Sequence, residues 1–87
     1  MPQEVTRKQE IIDEFRRHED DSGSPEVQIA LLTDRIEDLT DHMEEHPQDH
    51  DSRRGLLQLV SKRDSLLEYL RENDEERYKT VVEKLDL

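Results

Sequence analysis

The chain contains no cysteine, which excludes a disulfide framework, a thiolate nucleophile and a cysteine-based zinc site. Aromatic residues are scarce, one Phe and two Tyr in 87 residues, and apolar residues make up only 30%. A chain this short buries a smaller share of its surface than a longer one. It therefore makes one domain over residues 1–87, with a thin core built from apolar stripes on amphipathic helices. Little apolar wall remains to enclose a pocket and shift the pKa values of its carboxylates, so an enzyme is not expected and no catalytic residue is assigned. No apolar run approaches the roughly 20 residues that span a bilayer. Glu4 and Arg7 stand close behind Met1, where a signal peptide would be turning apolar. A soluble, cytoplasmic protein without membrane contact is the expectation.

Positive charge is the other scarcity. Thirteen basic residues face 24 acidic ones, for a formal charge of −11, which at ordinary salt repels phosphate. The acids are spread along the whole chain rather than gathered in a tail, and Arg outnumbers Lys nine to four. That distribution describes an acidic surface on a folded protein, not a disordered appendage.

What is present is helical periodicity with clear punctuation. Thr6 followed by Gln9 reads as a capping box ahead of a short stripe of Val5, Ile11, Ile12 and Phe15, which predicts a short, loosely attached first helix. After a polar run from His18 to Gly23, Ser24-Pro25-Glu26 supplies a cap, a proline at the first helical position and an acid in the first turn. Val27, Leu31, Leu32, Ile36, Leu39 and Met43 then recur at helical spacing until Pro47 ends the helix, leaving His46 to Asp51 as a connecting loop. Asp49 or Ser52 caps a third helix with a stripe of Leu56, Leu59, Val60, Leu66, Leu67 and Leu70, interrupted by Arg63. Asn73 with Glu76 reads as a further capping box before Tyr78, Val81, Val82 and Leu85. The expected fold is all-α, with four helices: a long antiparallel pair, a short mobile N-terminal helix and a C-terminal helix packed on the pair.

Three segments carry a resemblance: Gly23-Ser24-Pro25-Glu26-Val27-Gln28-Ile29-Ala30-Leu31-Leu32-Thr33; His46 to Leu57, containing Asp49-His50-Asp51-Ser52-Arg53-Arg54-Gly55; and Leu66-Leu67-Glu68-Tyr69-Leu70. In order and spacing the chain resembles, over nearly its whole length, the small-subunit ribosomal proteins of the fifteenth (S-fifteen) bacterial-type family. The resemblance implies an architectural protein of the cytoplasmic ribosome. Such a protein binds a three-way junction and an adjoining helix of the central domain of small-subunit rRNA, promotes platform assembly beside neighbouring platform proteins, and meets large-subunit rRNA at an intersubunit bridge. It implies no cofactor and no metal, and the free chain is expected to be a monomer. By the same resemblance a minor-groove cluster falls on His42, Asp49 and Ser52, and junction contacts fall on Ser22, Gly23, Gln28 and Tyr69. Imidazole, carboxylate and hydroxyl suit the hydroxyls and base edges of RNA's shallow minor groove.

The departures are charge reversals. Asp64, Ser65, Glu68 and Glu72 stand where the family commonly has basic residues, and a basic tail is missing after Leu87. Arg35, Arg53, Arg54, Arg63 and Arg71 remain as candidate phosphate contacts. Because molar salt shrinks the Debye length to roughly 3 Å, the dispersed acids suit a salt-rich cytoplasm, and an artificially supercharged variant of the family would carry the same pattern.

Each of these residues also has an ordinary reading. Asp49 and Ser52 can serve only as helix caps, Tyr69 can be a half-buried helix residue, and Gln28 can lie on a solvated face. Gly23 can supply a permissive backbone, and Arg53-Arg54 can solvate a helix start, although positive charge there opposes the helix dipole. His42, His46 and His50 repeat every fourth residue, but Pro47 breaks the helix on which they would share a metal. The competing class is an acidic helical module that binds a basic partner or imitates nucleic acid.

Overall fold

The computed structural model describes residues 3–15 and 23–87, with side chains from Arg7 to Phe15 and from Gly23 onward. Four helices are present among them: α1 (Gln3–Phe15), α2 (Pro25–Glu45), α3 (His50–Asn73) and α4 (Glu75–Leu85). The start of α2 follows its punctuation. Ser24 Oγ accepts from the Val27 amide, and Pro25 opens the helix. At the other end Pro47 follows immediately on the C-cap His46, whose N–H donates to the His42 carbonyl at 2.8 Å.

The α2–α3 connection is shorter than expected, because Asp49 rather than Ser52 is the cap and α3 begins at His50. The pairing is antiparallel: Ile29 packs with Leu70, Thr33 lies opposite Arg63, and His42 meets Asp49 as the two helices approach their turn. Thr33 is buried and its hydroxyl is satisfied within α2, donating to the Ile29 carbonyl at 2.8 Å.

Two clusters hold the four helices together. Ile29, Leu70 and Val81 are each at most 1% exposed and lock α2, α3 and α4 into one core. Burying such side chains contributes about 1.5–3 kcal/mol each. The second cluster joins Phe15 to Val27 and Ala30, with Ile11, Ile12, Leu31 and Leu85 around them. It docks α1 on both α2 and α4, although the short stripe of α1 had suggested loose attachment. Phe15, only 7% exposed, concentrates the burial that several smaller residues would otherwise share. Lys84 caps the same contact, its Nζ donating to the Glu14 carbonyl and lying 5.3 Å from the Phe15 ring centre. Arg7 adds ion pairs to Asp34 and Asp38.

Two capping assignments are corrected. α1 starts at Gln3, ahead of the Thr6–Gln9 box, and Gln9 donates forward to Asp13 at 3.0 Å instead of reaching back. At the α3–α4 corner the cap is Asp74, which accepts from the Arg77 amide at 3.3 Å. Asn73 belongs to the last turn of α3 and donates to the Tyr69 carbonyl. A box spaced at Asn73–Glu76 and a cap–amide pair at Asp74–Arg77 share one spacing, and only the dihedral break at residue 74 decides between them.

Candidate nucleic-acid interface

The α2–α3 turn assembles three of the expected residues around one carboxylate. His42 comes from the last turn of α2, Asp49 from the cap of α3 and Ser52 from its first turn. Asp49 Oδ1 accepts from the Ser52 amide at 3.1 Å. Oδ2 accepts from the Ser52 hydroxyl at 2.6 Å and from His42 Nε2 at 2.8 Å. The capping role and the cluster role therefore coexist, each oxygen serving a different side of the residue.

These donors fix the protonation of the cluster. The Ser52 hydroxyl, the His42 ring and the Ser52 amide all favour the ionised carboxylate, holding Asp49 well below the usual carboxylate range against a small opposing desolvation. An ionised carboxylate only accepts, so His42 Nε2 carries a proton and Nδ1 is the ring atom left for a ligand. The Ser52 oxygen, its proton committed to Asp49, keeps its lone pairs free. With its carboxylate ionised, the cluster turns the Ser52 lone pairs and His42 Nδ1 outward, polar groups of the kind that meet hydroxyls and base edges along an RNA minor groove. His46 tilts its ring against His42 with centres 4.8 Å apart, and His46, Pro47 and Gln48 join His42 and Asp49 around a shallow, open depression. Sequence reading treated His46, Pro47 and Gln48 as loop; their one available signal was adjacency to the cluster. No set of three or more metal-ligating side chains converges among the described residues.

The second group lies toward the other end of the hairpin. Gln28 donates through Nε2 to the Gly23 carbonyl at 2.6 Å. Gly23 has no positive φ, and a side chain added there would meet nothing within 4 Å. Nothing among the described residues therefore requires glycine at this position. Tyr69 is 56% exposed on α3, next to the buried Leu70 that packs on Ile29, the neighbour of Gln28. That shared core contact sets Gln28 and Tyr69 at one level of the α2–α3 pair. From Gln28 to His42 the axis of α2 rises about 21 Å at 1.5 Å per residue, so the two groups are separate points on one rod. Ser22 lies outside the described residues.

A family model described as Ribosomal protein S15 matches residues 8–87. The chain belongs to the ribosomal protein S15 family. It is 58% identical over 84 residues to the small ribosomal subunit protein uS15 of Alkaliphilus metalliredigens, covering 97% of both chains. The protein of the same name from Caldanaerobacter subterraneus is 58% identical over 81 residues, covering 93% of this chain and 92% of its own. That of Heliobacterium modesticaldum is 56% identical over 87 residues, covering 100% and 98%. This is a family of ribosomal proteins, not of enzymes.

The basic side chains of this S15-family member are unequal in their surroundings. Arg35 and Arg71 are exposed. Arg53 donates to the Pro47 carbonyl at 2.9 Å, bracing the turn, and Arg54 lies 3.5 Å from Asp51. Arg63 is half-buried between α2 and α3; its Nη1 reaches Thr33 Oγ1 at 3.5 Å and its Nε is buried without a hydrogen-bond partner. Against these, Asp64, Glu68 and Glu72 follow one another at four-residue spacing along α3, all exposed and without an ion pair among the described residues.

Proposed function

We propose that this chain is a structural component of the small ribosomal subunit in the cytoplasm, and that it binds a three-way junction and an adjoining helix in the central domain of small-subunit rRNA. The single observation that carries this reading is the Asp49-centred cluster. One carboxylate accepts from both His42 and Ser52 and so orients both side chains at an open surface. The cluster would read the minor groove of the helix, while Gly23, Gln28 and Tyr69, with Ser22, would meet the junction. Gly23, which the fold itself does not require, is consistent with a close approach of RNA backbone. Binding would fix the junction for neighbouring platform proteins, and the protein would lie near large-subunit rRNA at a bridge. The chain is expected to be a monomer when free.

Arg35, Arg53, Arg54, Arg63 and Arg71 would supply the phosphate contacts, and the unpaired acids on α3 would oppose them at low salt. The test is binding to a small-subunit three-way-junction fragment with magnesium, from dilute to molar potassium chloride, comparing the chain with His42→Ala and Tyr69→Ala. Binding that persists in high salt and falls in both variants supports the reading. A folded chain that binds no RNA at any salt, and retains a basic protein instead, would replace it with the acidic interaction module.

A further inference from the structure

The ion pair between Glu26 and Arg77 joins residues 51 positions apart. Arg77 Nε donates to Glu26 Oε2 and Nη2 to Oε1, both at 2.5 Å, and the Glu26 side chain is only 9% exposed. A first-turn acid serves the helix dipole equally well from solvent. Burying it against a guanidinium costs desolvation that a well-packed apolar pair would avoid, so the pair is weak evidence of added net stability. What a two-pronged planar contact adds is direction: it fixes orientation as well as distance.

The elements so oriented are informative. Val81, four residues after Arg77, is seated on Leu70 and Ile29, while Glu26 precedes Ile29 by three. The apolar contact and the ion pair are thus two attachment points about a turn apart, and together they prevent α4 from pivoting on α2. Glu26 stands three residues after Gly23, and α4 follows directly from the end of α3 that carries Tyr69, with Asp74 capping it through the Arg77 amide. We propose that Glu26 and Arg77 are a positioning pair, which sets the Gly23–Gln28 end of α2 against the Tyr69 end of α3 so that both meet one RNA junction together. This inference rests on the junction-binding reading.

The test uses the full chain with Arg77→Lys, which keeps the charge and loses the fork, and Glu26→Gln, which keeps the shape and loses the charge. Each is titrated at high salt with the three-way-junction fragment and with the same RNA in which a continuous helix replaces the junction but retains the minor-groove site. Circular dichroism identifies the folded variants, and two differently mild substitutions keep the comparison available if one of them unfolds. The expected result is a loss of roughly tenfold for the junction RNA, within the range seen for coupled residues, and an unchanged affinity for the continuous helix. Equal losses on both RNAs would mark a purely structural pair and overturn the proposal, as would no loss on either. If the unsubstituted chain does not distinguish the two RNAs, the junction reading itself fails and the positioning role falls with it.

Discussion

Asp49 gathers three donors, and the consequence is measurable in pH. Its folded pKa lies below the ordinary value of 3.8, so its hydrogen bonds stabilise the fold fully above that value and progressively less as pH falls beneath it. The stability difference between the chain and Asp49→Asn, followed by urea unfolding, is therefore expected to shrink as the pH falls below about 4. A difference that does not change with pH would separate Asp49 from its donors. Gly23 gives the opposite kind of expectation. With open space around it and no positive φ, Gly23→Ala should leave the thermal midpoint unchanged or raise stability by up to about 1 kcal/mol, while weakening binding to junction RNA. A variant that unfolds early would show that the protein, rather than a ligand, needs the glycine. Asp49 and Ser52 were legible in the sequence as cap residues, whereas His42 joined them only through the family resemblance. The sharing of one carboxylate between Ser52 and His42 was not legible, because it depends on where the turn stops.

At the scale of elements, α1 is held chiefly by Phe15, buried against Val27 and Ala30. Phe15→Ala is expected to cost about 3 kcal/mol at that contact and to raise amide exchange in α1 well before α3. Uniform exchange across all four helices would instead mean that α1 is not a separable unit. α4 depends on its cap, so Asp74→Ala should destabilise by about 1 kcal/mol, whereas Asn73→Ala should cost less because Asn73 is exposed and bonds only within the last turn of α3. Thermal melts of the two variants compare the positions directly. The long helices could be read from periodicity and punctuation, since Ser24-Pro25 and Pro47 leave few options. The docking of α1 and the pairing of Glu26 with Arg77 could not, because a four-residue stripe does not name its partner and a first-turn acid already has a local explanation in the helix dipole.

The whole molecule is a slab with principal extents of 39 × 35 × 19 Å, less than two helix diameters thick. Among the described residues eight apolar side chains and one charged one, Glu26, are buried, and the chain carries a formal charge of −11. Self-repulsion should therefore be strong in dilute buffer, and helical signal and thermal midpoint are expected to rise as potassium chloride is added. A melting curve already complete and indifferent to salt would contradict that expectation. The two residue groups on the α2–α3 pair also differ in how much of the chain must be assembled to form them. His42 and Asp49 are separated by seven positions, so closing one short loop at low entropic cost brings them together, whereas Gln28 and Tyr69 come level with each other only when α2 and α3 have paired along most of their length. In pulse-labelled refolding, the turn amides of His46, Asp49 and Arg53 would then gain protection ahead of those around Ile29 and Leu70, and a chain emerging from synthesis would close its His42–Asp49 contact before α2 and α3 are paired along their length.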